Sequence, residues 1–447
     1  MSTDRQFGFR TRALHAGSPP DPSTGSRALP IHLTTSFVFD SVAHATELFS
    51  LRSYGNIYSR ISNPTVSAFE EKMASLEGGL GAIATASGQA AQIIAILSLA
   101  QAGDHLVSSA NIYGGTITQF SVTLRRLGIE TTLVADPDQK ALAAAIRPNT
   151  RALFAETIGN PGGVVADIQT LADVAHEAGV PLIIDNTFAS PYLCRPIEHG
   201  ADIVVHSATK YIGGHGTTIA GVLVESGRVP WGAGRHPLLD EPSPGYHGVR
   251  FTETFGEYAF LTRARAEVMR DVGACLSPMN AWLLIQGLET LAVRMQAHVE
   301  NAERIALFLE GHEAVTWVKY PGLESSPYHA LAKRYMPVGA GAIFTFGVRG
   351  GRAAGERFIE ALELWSHLAN VGDAKSLVIH PASTTHSQLD DAGLSAAGIT
   401  PDMVRLSVGL EDPDDLIWDL EQGLAAARKA AEDDSPADRA AEPRVAR

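Results

Sequence analysis

Between residues 80 and 225, seven short apolar runs alternate with segments of helical periodicity, and this alternation constrains the fold most strongly. It predicts an α/β fold with a mostly parallel seven-stranded sheet and helices on both faces. Crossover helices are expected at 89–99 and 168–178. The predicted strands are 82–84, 105–108, 130–134, 152–155, 182–184, 203–205 and 221–224.

At 447 residues the chain exceeds what one simple core organises, so we expect two domains. Residues 1–75 read as an N-terminal arm, rich in Gly, Pro, Ser and Arg in its first part. The large domain is predicted over 76–284, with a long irregular insertion at 226–256. A smaller α/β C-terminal domain follows over 285–430. Residues 431–447 are charged and lack aromatic residues, which predicts a disordered tail.

Helical spacing predicts a helix after Pro64, since Val66, Phe69, Met73 and Leu76 would share one face. In the second domain we expect a long helical stretch at 280–309 and strands at 342–346, 376–379 and 404–407.

Composition excludes several classes of function. The net charge of −14 argues against a nucleic-acid partner, because phosphate binding needs a basic face. The N-terminus shows no apolar secretory signal, and the most apolar stretch, 82–100, is too polar to predict a membrane span. Cys194 and Cys275 cannot build a disulfide framework, which favours a reducing compartment. We therefore expect a cytoplasmic protein with no membrane contact.

The chemistry points first to Lys210 and Asp185. Lys210 stands in a polar turn after the strand predicted at 203–205, and Asp185 ends the strand predicted at 182–184. Ligands bind beyond the carboxyl ends of strands in such sheets. Each residue alone has an ordinary explanation, a surface charge or a turn. Together, a lysine able to form a Schiff base and an aspartate able to keep a pyridine nitrogen protonated indicate pyridoxal 5'-phosphate (PLP) as cofactor.

A phosphate-binding segment is predicted near both residues. Gly88 and Gln89 open a helix directly after a strand, where backbone N–H groups can bind an anion. Ser207 and Thr209 place hydroxyls just before Lys210. The competing interpretation is that this segment is only a capped helix start.

Three further polar residues follow predicted strands. Tyr113, beside two glycines, would stack on the pyridine ring, while Asn160 and Thr187 would donate to the ring oxygen. Taken singly, the first would be a core tyrosine and the other two ordinary turn residues.

Arg405 lies inside an apolar strand of the second domain, where a buried arginine calls for an anion. A bidentate clamp on an amino-acid carboxylate would explain it, as would an internal salt bridge. The spacing of His380 and His386 matches no standard metal motif, so we expect no metal site.

Together these motifs resemble the Cys/Met-metabolism family of PLP-dependent enzymes. The similarity runs from about residue 10 to 428 and carries seven motifs in the family's order. They are YSRISNPT, SGQAA, IYGGT, ETIGNP, DNTFASPYLCRPIEHGADIVVHSATKYIGGHGTTIAG, NVGDAKSLVIHPASTTHSQL and VRLSVGLE.

The resemblance implies a PLP-dependent transferase of fold type I and assigns roles. Lys210 would be the Schiff-base lysine and proton shuttle, Asp185 the pyridinium partner and Tyr113 the stacking ring. Tyr58 and Arg60 would reach the phosphate of a neighbouring subunit. The substrate-binding residues would be Arg405 and Asn370, and the phosphate-binding residues Gly88, Gln89, Ser207 and Thr209.

Within the family, the chain resembles the branch of the O-acetylhomoserine sulfhydrylases. Three features favour this branch: the motif SRISNPT, the insertion with GYHG at 245–248, and the run LSPMNAWLLIQGLETLAVRM. The implied reaction converts O-acetyl-L-homoserine and sulfide, or methanethiol, to L-homocysteine, or methionine, and acetate. An O-succinylhomoserine sulfhydrylase and a methionine γ-lyase remain alternatives. The family also implies a homo-oligomer, a dimer of dimers.

Overall fold

The structure is a computed structural model, and it describes residues 5–135, 138–160, 162–384, 394 and 398–433. The chain divides into two compact units. The first comprises Met1–Gly159 and Ala166–Ala292, and the second comprises Asn160–Val165 and Val293–Arg447.

The first unit is built on a seven-stranded sheet, as the sequence predicts. Its strand order is β1-β7-β6-β5-β4-β2-β3, and β7 runs antiparallel to both neighbours while all other pairs are parallel. The strands are β1 (Gly81–Thr85), β2 (His105–Ser109), β3 (Glu130–Val134), β4 (Thr150–Glu156), β5 (Leu182–Asp185), β6 (Ile203–His206) and β7 (Gly221–Glu225).

Helices cover this sheet. The α-helices are Phe9–His15, Val42–Phe49, Pro64–Glu77, Gly88–Leu97, Gly114–Thr118, Gln139–Ala145, Ile168–Glu177, Ser190–Leu193, Pro237–Asp240, Phe251–Phe255, Ala259–Arg263, Arg270–Val272 and Pro278–Glu289. Single 3₁₀ turns lie at Pro196–His199, Pro244–Tyr246 and Gly256–Tyr258, and π-helical turns at Gln119–Leu124 and Ala264–Met269.

The helix predicted after Pro64 shows how local sequence sets the element bounds. The Asn63 side chain accepts a hydrogen bond from the Thr65 N–H (3.0 Å), and Pro64 occupies the first turn. Gly78 ends the helix in the left-handed conformation at φ 81°. The four apolar residues that predict this helix are all buried.

The second unit contains a smaller five-stranded sheet in the order β10-β11-β12-β9-β8. Only β10 and β11 pair in parallel. The strands are β8 (Val315–Lys319), β9 (Ile343–Val348), β10 (Ser366–His367), β11 (Leu377–Ile379) and β12 (Met403–Ser407). Its helices are His329–Tyr335, Gly351–Glu360 and Pro413–Asp433, and a 3₁₀ turn lies at Pro381–Ser383. The helix Leu291–Glu310 also belongs to this unit from Val293 onward.

Sequence and structure differ at two points in this part of the chain. The single helical stretch expected at 280–309 is two helices, because Pro278–Glu289 ends at Thr290 before Leu291–Glu310 begins. Strands β8 and β10 lack a prediction, whereas the three predicted strands are present.

The last helix ends at Asp433, so residues 434–447 of the predicted tail, like His386, lie outside the described residues. Within the described ranges, none of the helices has the length and apolar character needed to span a membrane.

Candidate active site

Asp185 lies at the carboxyl end of β5 and is only 9% exposed. Its Oδ2 accepts a hydrogen bond from Gln92 Nε2 and its Oδ1 accepts one from the Thr187 N–H, both 2.9 Å long. Burial raises the pKa of Asp185, although these two donors favour its charged form. A carboxylate held in this way accepts hydrogen bonds but is largely shielded from water. A cationic ligand would therefore stabilise its negative charge.

The two predicted phosphate-binding segments meet at Gly88. Ser87 caps the Gly88–Leu97 helix, accepting a hydrogen bond from the Ala90 N–H (3.1 Å). A Cβ built on Gly88 would lie 2.7 Å from Ser207 Cβ, so only glycine allows this approach. Ser207 is fixed in turn by its N–H, which donates to Thr187 Oγ1 (2.8 Å). A helix N-terminus and a hydroxyl turn therefore form one small cradle suited to an anion.

Lys210 belongs to the same turn after β6 and is half-buried. Its N–H donates to the Ser207 carbonyl (3.2 Å), and its carbonyl accepts from the Gly214 N–H (2.7 Å). The Thr209 hydroxyl bonds the main chain of Ala220, accepting from its N–H (3.0 Å) and donating to its carbonyl (3.2 Å). The turn that presents Lys210 is thus tied to the segment leading into β7.

Tyr113 begins the Gly114–Thr118 helix, and its side chain is about half exposed. Its N–H donates to Glu156 Oε1 (2.6 Å). A Cβ built on Gly115 would lie 2.4 Å from Tyr113 Cε1 and 3.1 Å from Gln89 Nε2, so the ring and Gln89 approach the same glycine. Gln89 Oε1 is buried and lacks a hydrogen-bond partner among the described residues.

Two residues of this group escaped the sequence reasoning. Gln92 binds Asp185 and is oriented by the Thr116 hydroxyl, which donates to Gln92 Oε1 (3.1 Å). Glu156 pairs in register with Asp185 and anchors the Tyr113 backbone. The available signals were a glutamine one turn beyond Gly88 in an apolar helix and a glutamate ending a buried strand.

Two predicted residues come together in the second unit. Arg405 lies on β12, and its Nη1 donates to Asn160 Oδ1 (3.2 Å). Asn370 lies between β10 and β11 in the same unit, two residues before Gly372, whose N–H donates to Ser407 Oγ (2.9 Å).

Tyr58 and Arg60 contact each other in the arm. The Arg60 guanidinium lies 5.5 Å from the centre of the Tyr58 ring, and its Nη1 donates to the Arg270 carbonyl (2.6 Å). In the second unit, His380 Nε2 lies 2.9 Å from the Pro401 carbonyl oxygen, which is a structural contact.

The residues at the carboxyl edge of the large sheet fit PLP. The Gly88–Ser207 cradle suits the phosphate, desolvated Asp185 suits a protonated pyridine nitrogen, and the amine of Lys210 suits the aldehyde. Fold and site together define a PLP-dependent enzyme of fold type I.

Comparison with known proteins makes this assignment specific. The family model "Cys/Met metabolism PLP-dependent enzyme" matches residues 10–425, so the chain belongs to that family. The chain is 52% identical to an O-acetyl-L-homoserine sulfhydrylase 1 of Thermus thermophilus over 93% of this chain and 100% of that protein. It is 53% identical to a homocysteine synthase of Schizosaccharomyces pombe over 94% of this chain and 98% of that protein.

A solved structure extends the similarity to three dimensions. It is a putative O-acetylhomoserine (thiol)-lyase of Campylobacter jejuni that carries a pyridoxyl-lysine monophosphate. It is 41% identical, with a TM-score of 0.91 over 94% of this chain and 100% of that chain. The cofactor and the fold class predicted from the sequence are thereby confirmed.

Proposed function

We propose that this enzyme replaces the acetate of O-acetyl-L-homoserine with sulfide, or with methanethiol, to give L-homocysteine, or methionine, and acetate. One observation carries the proposal. Over nearly its whole length the chain is more than 50% identical in sequence to two relatives that are named for this activity. The net change is confined to substrate Cγ, where a C–O bond breaks and a C–S bond forms.

The carboxyl edge of the large sheet binds the cofactor in this proposal. PLP, when bound, supplies an electron sink for the pair left at substrate Cα. Asp185 keeps the pyridine nitrogen protonated, and Gln92 and Thr187 hold the carboxylate ionised and oriented. Tyr113 would stack on the ring, while Thr187 and Asn160 would hold its oxygen. The residues that would hold the phosphate are Gly88, Gln89, Ser207 and Thr209.

Lys210 moves protons. Its side-chain amine would hold the cofactor's aldehyde carbon and, when free, would remove the proton at Cα. Loss of a second proton, at Cβ, allows acetate to leave Cγ. Sulfide then bonds to Cγ, and return of both protons releases the product.

Arg405 clamps the substrate carboxylate, with Asn370 beside it. A guanidinium suits this task because its paired N–H groups match both carboxylate oxygens. The hydrogen bond from Arg405 to Asn160 supports this role, since it orients the guanidinium through one nitrogen.

The active form is a homo-oligomer in the cytoplasm, a dimer of dimers. The arm supports a homo-oligomer, because several of its large apolar side chains are exposed in a single chain and a second copy could cover them. Among them are Val38, which is 97% exposed, and Tyr54, which is 94% exposed. Tyr58 and Arg60 would reach the phosphate of the neighbouring subunit, so a monomer would be inactive.

The test is homocysteine formation by PLP-loaded protein given sulfide, with the O-acetyl and O-succinyl esters of homoserine compared. Turnover of the acetyl ester alone is the expected result. Turnover of the succinyl ester alone would contradict the substrate, and release of 2-oxobutanoate without thiol incorporation would identify a lyase.

A further inference from the structure

A buried polar network lies on the sheet face opposite Asp185. One residue beyond Glu156, Asp185 and Val205, which pair across β4, β5 and β6, stand Thr157, Asn186 and His206. Because side chains alternate along strands, these three face away from Asp185. The Thr157 hydroxyl donates to Asn186 Oδ1 (2.8 Å), and both residues are fully buried.

Glu77 closes this network from outside the sheet. It is the last residue of the Pro64–Glu77 helix, and its Oε1 accepts from His206 Nε2 (2.6 Å) and Asn186 Nδ2 (3.0 Å). The Glu77 and His206 side chains are both 0% exposed. One carboxylate oxygen therefore joins the ends of β5 and β6.

The two residues that donate hydrogen bonds to Glu77 are each adjacent in sequence to a residue of the proposed cofactor site. Asn186 directly follows Asp185, and His206 directly precedes Ser207 in the turn that presents Lys210. A buried ion pair adds little net stability, because desolvation offsets the attraction. Its effect on geometry is larger, since removing one partner leaves the other buried and unpaired.

We propose that Glu77 is a positioning residue for the PLP site, holding Asp185 and the Ser207–Lys210 turn in register through Asn186 and His206. The inference rests on the proposed roles of Asp185 and Lys210. Electrostatics support it: burial raises the pKa of Asp185, and the electrostatic interaction with His206 opposes that rise.

The test compares Glu77→Gln with Glu70→Gln. Glu70 is a matched control, because it is a buried carboxylate on the same helix that accepts from the Ala84 N–H and Arg265 Nη2, both 2.8 Å. Three quantities are measured: the Kd for PLP, the pH midpoint of the holoenzyme's visible absorption, and the melting temperature of the cofactor-depleted protein.

We expect Glu77→Gln to weaken PLP binding about tenfold and to move the absorption midpoint by roughly half a pH unit or more, while Glu70→Gln only lowers the melting temperature. An unchanged Kd and midpoint in Glu77→Gln, or equal changes in both variants, would overturn the proposal.

Two further variants keep the result interpretable. If Glu77→Gln does not fold, His206→Asn is measured in its place, and a wild-type Kd and midpoint there would also overturn the proposal. Asp185→Asn is measured in parallel. If it leaves PLP binding and absorption unchanged, the assignment of the site itself fails, which is a different result from failure of Glu77.

Discussion

The two edges of the large sheet at which its strands begin and end each bury a carboxylate, and we propose chemistry only at the carboxyl edge. Asp185 ends β5 at the carboxyl edge of the parallel strands. Glu225 ends the antiparallel strand β7 and pairs with Ile203, the first residue of β6, so it lies at the opposite edge. Burial raises the pKa of both groups, that of Glu225 to about 8.

Asp185 and Glu225 differ in the groups that surround their carboxylates. Asp185 accepts two hydrogen bonds, and Thr187, two residues on, accepts from the N–H of Ser207, which packs on Gly88. Glu225 Oε1 accepts one, from Trp231 Nε1 (2.7 Å), and the Trp231 indole is buried in the apolar core. A raised pKa therefore does not identify a site unless ligand-binding groups surround it.

The largest effect is expected at Lys210. Lys210→Ala removes the amine that we propose carries PLP and moves the Cα proton, so turnover should fall by about 10³-fold or more. Steady-state homocysteine formation measures it. Lys72→Met is the control, since Lys72 is a buried lysine that donates to the Ala13 carbonyl (2.7 Å). That variant should lose stability and keep turnover; wild-type turnover in Lys210→Ala would remove Lys210 from the mechanism.

Asp185→Asn should rank second. The substitution keeps the size of the side chain but removes the charge that we propose holds the pyridine nitrogen protonated, so kcat/KM should fall by about 10²- to 10³-fold. Kinetics with saturating PLP separate this loss from weaker cofactor binding. A near-normal kcat/KM would show that Asp185 has no part in catalysis, so the two edges of the sheet would not differ in function.

Glu225→Gln should change stability and leave catalysis alone. The pKa of Glu225 is raised on folding from 4.5 to about 8, so the folded state gains stability from protonated Glu225 below pH 4.5 and loses it as pH rises toward 8. The neutral variant escapes that loss. Its melting temperature should exceed the wild type's by a few degrees at pH 8, with the difference shrinking toward pH 5.

Activity provides the second readout for Glu225→Gln. Turnover should stay within about twofold of the wild type, because nothing in the mechanism uses this edge. A loss comparable to that of Asp185→Asn would break the comparison.

The smallest effect is expected for Trp231→Phe. The variant keeps an aromatic ring near Phe260, whose ring stacks on Trp231 at 5.2 Å, but removes the N–H that binds Glu225. Stability should fall by about 1–2 kcal/mol, measured by urea unfolding near neutral pH. In a Glu225→Met background, which offers Trp231 no oxygen acceptor, the cost should be smaller, and an equal cost in both backgrounds would exclude the hydrogen bond as its source.

Much of the fold was predictable because its signals are local. Most strands of the large sheet are apolar runs between turn residues, and the Pro64–Glu77 helix carries its own cap, first-turn proline and terminal glycine. Strand β10 gives no such signal, since it has two residues. The break at Thr290 also escaped prediction, because helical spacing continues across it.

The placement of Lys210 after β6 and of Asp185 at the end of β5 was predictable, because each stands in a motif that follows an apolar run. Contacts between residues distant in sequence were not predictable. Gln92 is 93 residues from Asp185, and Glu77 is 129 residues from His206. Each of these residues, read alone, is an ordinary polar residue on a helix, and only the folded sheet gives it a partner.

The central claim is that the carboxyl edge of the large sheet holds PLP through Lys210. Borohydride reduction of the holoenzyme, followed by peptide mass spectrometry, locates the lysine that carries the cofactor. We expect a pyridoxyl group on Lys210. A pyridoxyl group on Lys72 or any other lysine, with Lys210 unmodified, would contradict it.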